Sequence, residues 1–151
     1  MSVDFGCIAW HEDGRWSATT LASTRDIGAI IDALKAQQTN GGAIGFIAIE
    51  DEFVIIARAL GDQMQMMISD ITYALDYEVA AELVEVLDLE FPEEEDESQP
   101  GGDLDLLNDL GVSQMELLTI LDDTELYPDE QLEAIANRLG FGDQFNQAVF
   151  Q

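Results

Sequence analysis

The sequence predicts an α+β chain, in which an antiparallel sheet of about five strands with two helices, in the order ββαβββα, precedes a small all-helical bundle. Three observations carry this reading. Apolar runs of seven or eight residues between positions 43 and 69 have the length of strands rather than helices. After residue 102 the apolar periodicity is helical throughout. Between the two patterns lies Asp88 to Glu97, where only Leu89, Phe91 and Pro92 are uncharged. The expected organisation is an α+β sheet domain over 1–87, an acidic flexible linker over 88–102 and a small helical bundle over 103–151.

Val3 to Trp10 alternates in the manner of a strand, and the turn His11-Glu12-Asp13-Gly14 leads into a second one, Arg15 to Leu21. Asp-Gly supplies the positive φ that a tight hairpin needs. Ser23 and Thr24 offer caps for a helix from Thr24 to Gln38, with Ile27, Ile30, Ile31 and Leu34 on one face. Ala43 to Ile49, Phe53 to Leu60 and Gln63 to Ser69 read as three antiparallel strands. A second helix spans Asp70 to Leu87, where Ile71, Leu75, Val79, Leu83 and Leu87 recur every four residues. Strands apolar on both faces need cover on both faces, from helices or from another subunit.

Pro92 to Gly102 combines acids with Ser98, Pro100 and two glycines, too little apolar area to offset the entropy of ordering. A helix is expected from Asp103 to Leu110, a second opened by the Ser113 to Glu116 capping box, and a third with Pro128 in its first turn. Phe141, Phe145 and Val149 suit a short last helix. About 50 residues is near the lower limit for an independent core. The bundle is therefore expected to dock on the first domain, to dimerise, or to offer its apolar face to a partner.

The formal net charge is −27, divided as −10 over 1–87, −7 over 88–102 and −10 over 103–151. Such a surface repels phosphate, which argues against direct nucleic-acid binding, a helix-turn-helix role for the bundle, and anionic lipid surfaces. It favours a protein partner. No apolar stretch approaches a membrane span, and Met1 to Trp10 carries no basic region ahead of an apolar one, so the expected compartment is cytoplasmic.

The chemical inventory is thin. Cys7 and His11 lie four residues apart, roughly 13 Å along a strand, too far for a nucleophile and base. They are expected to be a packed strand cysteine and an exposed turn histidine. Two N or S ligands are too few for a zinc site, and the acidic groups lack the spacing of an EF-hand loop. No catalytic residue, cofactor or metal is expected. Trp10 and Trp16 flank the first turn and are expected to meet across the strands, while Met64, Met66 and Met67 lie on the last strand.

Several segments carry a family likeness: Trp-His-Glu-Asp-Gly-Arg-Trp at 10 to 16, Ile-Ser-Asp at 68 to 70, Gly-Asp-Leu-Asp-Leu-Leu at 102 to 107, Leu-Gly-Val at 110 to 112 and Leu-Tyr-Pro-Asp-Glu at 126 to 130. Together with the acidic stretch, this order resembles the tRNA adenosine deaminase-associated protein family. The resemblance implies association with the enzyme that converts adenosine to inosine in tRNA, and brings no catalytic residues with it. The deaminase's own zinc signature, His-x-Glu with a later Pro-Cys-x-x-Cys, is absent here, because the sequence holds a single Cys.

The leading functional expectation is a non-enzymatic accessory protein whose acidic face meets a basic partner, a tRNA adenosine deaminase by resemblance. Trp10, Trp16, Leu126, Tyr127, Phe141 and Phe145 are the candidate partner-binding residues. A second reading is an acidic nucleic-acid mimic that occupies a tRNA-binding surface, and a third is a carboxylate- and metal-dependent hydrolase. A homodimer through the sheet domain is compatible with each.

Overall fold

A computed structural model of the chain describes residues 4–123 and 125–149. Six strands form one antiparallel sheet in the order β2-β1-β3-β4-β5-β6. They are β1 (Phe5–Glu12), β2 (Arg15–Thr20), β3 (Ala43–Ile49), β4 (Phe53–Leu60), β5 (Gln63–Ile68) and β6 (Gly101–Gly102). Five helices accompany them: α1 (Ile27–Gln37), α2 (Glu78–Val86), α3 (Gln114–Leu121), α4 (Pro128–Leu139) and α5 (Gly142–Val149). The α+β class stands as expected, with one strand more. Val3, expected to open the first strand, lies outside the described residues.

Every residue of β3 is buried, as is β4 up to Ala59. Alternation sorts their side chains onto two faces. One face carries Ile8, Ile47, Ile49, Phe53, Ile55 and Ile68, covered by Ile27, Ile30 and Leu34 of α1 and Val79, Leu83 and Val84 of α2. The other carries Cys7, Ile44, Phe46, Val54, Ile56 and Met67, covered by Leu117, Leu132, Ile135, Phe141 and Phe145 of the C-terminal helices. Of the covers the sequence left open for this second face, the structure supplies helices of the same chain. Leu106, Leu107, Val112 and helices α3 to α5 share a core with the sheet.

The first hairpin is tighter than the sequence suggests. Glu12 pairs with Arg15, so the turn is Asp13-Gly14 alone, with φ of 53° and 78°. Two consecutive positive φ values are what a type I′ turn requires. His11 is therefore part of β1 rather than an exposed turn residue, and half-buried. Helix α1 starts later than expected, capped by Asp26, whose side chain accepts from the Ala29 N–H at 3.1 Å.

The helix expected over Asp70 to Leu87 is divided. A single 3₁₀ turn, Ile71–Leu75, is capped by Asp70, and α2 begins only after Tyr77, whose backbone is extended. The division lets Tyr73 stack on Phe53 with centroids 4.9 Å apart while Tyr77 meets the same ring edge-on at 5.3 Å. The helix expected over Asp103 to Leu110 is likewise reduced to the 3₁₀ turn Asn108–Leu110.

The segment after α2 leaves one face of the sheet and returns to the other around its β5 edge. Its acids Glu93 to Glu97 are all exposed. Its end is fixed: Ser98 Oγ donates to Asp70 Oδ2 at 2.6 Å and the Ile71 N–H donates to the Gln99 carbonyl at 2.8 Å. Gly101 and Gly102, placed in the linker by composition, then pair with Ile68 and Met67 as β6. Gly102 has φ of 99°, and a Cβ there would lie 2.5 Å from the Met66 carbonyl oxygen and 2.9 Å from Met67 Cα. Gly102→Ala is expected to cost on the order of 2 kcal/mol or more, combining left-handed strain with a backbone clash. Urea denaturation against the wild type measures it, and an unchanged midpoint would refute this account of the edge.

Candidate functional site

An aromatic seam holds the second face together. Trp16 lies 4.8 Å from Phe141, and Phe46 lies 5.4 Å from Phe141 and 6.1 Å from Phe145, centroid to centroid. Phe5 meets Phe145 edge-on at 6.0 Å, and His11 tilts against Trp16 at 5.0 Å. Ring pairs at such separations contribute about 0.5–1.5 kcal/mol each beyond the burial of their area.

Trp10 is not part of the seam. The two-residue turn pairs Trp10 with Ser17 and His11 with Trp16. Trp10 thus shares a face with Ile8 and packs on the α1 side, while Trp16 packs on the opposite one. The expected meeting of the two tryptophans is corrected by this register.

The structure therefore brings three of the six sequence-derived residues together, Trp16, Phe141 and Phe145. Phe141 and Phe145 are fully buried in the intramolecular core. Leu126 is half-buried, while Tyr127 is 64% exposed at the start of α4, its backbone N–H donating to Glu130 Oε1 at 3.0 Å.

Three of the chain's five cations are engaged in ion pairs within it. Arg25 binds Asp4 and Glu50, each at 2.6 Å, and its guanidinium carbon sits 5.5 Å from the centre of the Tyr77 ring. Arg138 pairs with Glu116, joining α4 to α3. Arg58 is 3% exposed on the second face of β4. It donates to the Leu106 carbonyl at 3.0 Å and pairs with Asp109, so a buried charge in the sheet grips the segment ahead of α3. Its Nε is buried without a partner. Arg15 and Lys35, the other two cations, are exposed.

Hydrogen bonds from these arginines hold the carboxyls of Asp4, Asp109 and Glu116 below their usual range. For carboxylates depressed in the folded state, the sign is fixed. Their contribution is present above the unfolded pKa, about 4, and is lost as pH falls through the lower folded value. The midpoint of thermal unfolding is expected to fall as the pH is lowered below about 4, and Asp109→Asn is expected to make that fall smaller. An equal drop in both proteins would refute a role for this carboxyl.

Burial pushes the Cys7 thiol up to about 12, which leaves it protonated and unreactive at neutral pH. Among the described residues, no three His, Cys, Asp or Glu side chains are grouped to hold a metal ion. No helix among them is long and apolar enough to cross a membrane.

Two of the surface concavities among the described residues have acidic side chains in their lining and lie beside the elements already described. One, of about 750 Å³, is lined by Glu50, Glu52, Tyr73, Asp76 and Tyr77 with Arg25 across it. The Tyr73 hydroxyl donates to Glu52 at 2.7 Å, and burial beside that carboxylate raises its pKa. The other, of about 950 Å³, runs between α3 and residues 98–100. Its most exposed apolar side chain, Met115 at 80%, is absent from the sequence-derived set. The available signal is in α3 itself, whose eight residues include five apolar ones, more than one face of two turns can bury.

The family of Rv3753c-like tRNA adenosine deaminase-associated proteins matches residues 4–142, nearly the whole described fold. The chain belongs to this family. Protein Rv3753c of Mycobacterium tuberculosis (strain ATCC 25618 / H37Rv) is 37% identical over 150 residues, spanning 96% of this chain and 87% of the relative. No solved structure matches the chain. The family match covers the strands, the acidic segment and helices α3 and α4, so the Arg58 grip and the Trp16, Phe46 and Phe141 part of the seam lie within it, while Phe145 lies beyond it.

Proposed function

We propose that this chain is a non-catalytic accessory protein that acts through protein–protein contacts, with a tRNA adenosine deaminase as its partner. The observation that carries the reading is the distribution of charge. The chain has a formal net charge of −27 with only five cations, of which Arg58 is buried and Arg25 and Arg138 are already paired with carboxylates of the same chain. A protein that binds tRNA presents the complementary sign, since it neutralises phosphates with Lys and Arg. The family's description supplies the deaminase, and we read the compartment as the cytoplasm.

Complementary fields of this kind accelerate and orient encounter, and salt screens them. A tagged form of this chain is expected to retain the deaminase at about 50 mM salt and to release most of it by about 500 mM. Recovery under neither condition removes the partner.

A second reading, mimicry of nucleic acid, is favoured by one observation: Glu93 to Glu97 form an uninterrupted exposed acidic run. It requires excess tRNA to displace the chain from the deaminase. Simultaneous binding of both would exclude it.

A further inference from the structure

The groove between α3 and residues 98–100 is an apolar channel with acidic margins. Pro100, Leu118 and Leu121 line it, all partly exposed, and Met115 stands at its side almost fully in solvent. Asp122 and Asp123 lie at one end, where α3 finishes. The opposite wall is Ser98, Gln99 and Pro100, and the exposed run Glu93 to Glu97 feeds directly into that wall. The wall is held in place through Asp70, which accepts from Ser98 Oγ and from the Gln99 N–H, and through the Gln99 carbonyl, which accepts from Ile71. The lining carries no Lys, Arg or His.

We infer that this groove binds a basic amphipathic segment of a protein partner, with apolar side chains seated against Met115, Leu118 and Leu121 and Lys or Arg side chains meeting Asp122, Asp123 and the acids before Ser98. The inference rests on the accessory-protein reading and names the surface and the chemistry through which it acts. Charge complementarity selects the occupant. A second copy of this chain brings its own −27 and the same acidic margins to the contact. Nucleic acids and anionic membranes are repelled for the same reason. An acid-rimmed apolar groove suits a helix or strand that carries cations beside an apolar stripe.

The test uses the full chain and a fluorescent 14-residue peptide with Leu and Lys at helical spacing, beside a Lys–Ser peptide of equal charge. Fluorescence anisotropy is expected to show the Leu–Lys peptide binding at least tenfold more tightly than the Lys–Ser one. Met115→Ser, at an exposed position, is expected to remove about tenfold of that advantage. Asp122→Asn with Asp123→Asn is expected to weaken binding about threefold more than Glu12→Gln with Asp32→Asn, a remote pair of exposed acids that changes the net charge equally. Equal weakening by the two pairs, or no effect of Met115→Ser, would overturn the groove as the site.

A dimer in light scattering that Met115→Ser abolishes would overturn it in favour of a second copy. The deaminase pull-down is read separately. Its failure overturns the deaminase as partner, while the peptide measurements decide the groove.

Discussion

Phe141→Ala is expected to destabilise the chain by about 3–5 kcal/mol. Phe141 is fully buried where α4 hands over to α5, and its ring touches both Trp16 from the hairpin and Phe46 from the central strand. Removing it leaves a cavity that the sheet cannot close, because β3 is fixed by strand pairing on both sides. It also removes one of the contacts that join the edge hairpin to the helical layer, beside Phe5 on Phe145 and the Thr20 hydroxyl on the Ala148 carbonyl. The loss is a large share of the roughly 5–15 kcal/mol by which native domains are stable. Denaturant unfolding followed by tryptophan fluorescence checks it, since Trp16 loses its ring neighbour while Trp10, on the other face, does not. A loss under about 1 kcal/mol would show that the helical layer is held elsewhere.

Asp109→Ala is expected to cost about 2 kcal/mol or more although the Asp109 side chain is 60% exposed. The cost arises at its partner. Arg58 is a buried cation in an apolar layer, and without the carboxylate its charge is met chiefly by the Leu106 carbonyl. Arg58→Met removes the buried charge together with the need for a counter-ion, and is expected to cost less than Asp109→Ala. The double variant should resemble Arg58→Met alone. Urea midpoints of the three proteins decide it, and a larger loss for Arg58→Met would mean that the pair stabilises by attraction rather than by avoiding an isolated charge.

Much of the sheet is legible in the sequence. Strands β3 and β4 stand at their expected bounds because each apolar run is cut by an acidic or glycine-containing turn, Glu50-Asp51-Glu52 and Gly61-Asp62. The sixth strand is not legible, since two glycines carry no side-chain pattern. They pair because β5 offers an open edge and Asp70 holds the preceding residues against it. The split after Leu75 is equally silent locally, as it depends on Phe53 offering its ring to two tyrosines some twenty residues away.

The candidate site divides on similar lines. The seam residues Trp16, Phe141 and Phe145 stand out by type, yet burial turns two of them into core. Nothing in the sequence marks Arg58 as buried, since its partner lies 51 positions later. Met115 and Leu118 are two of the five apolar residues of α3 and carry no mark that separates them from the buried Leu117. Whether a short helix buries all its apolar residues depends on what lies opposite, and a single sequence does not specify that.

The two-sided sheet also sets an order of events at the ribosome. Strands β1 to β5 and helices α1 and α2 are synthesised before α3 to α5, the helices that cover Phe46, Val54, Ile56 and Met67. At roughly 5–20 residues per second the interval lasts several seconds, with an aggregation-prone sheet face open to other nascent chains. The segment synthesised during that interval begins with the most acidic stretch of the sequence. Mutual repulsion between such intermediates on neighbouring ribosomes would hold these faces apart until each chain covers its own.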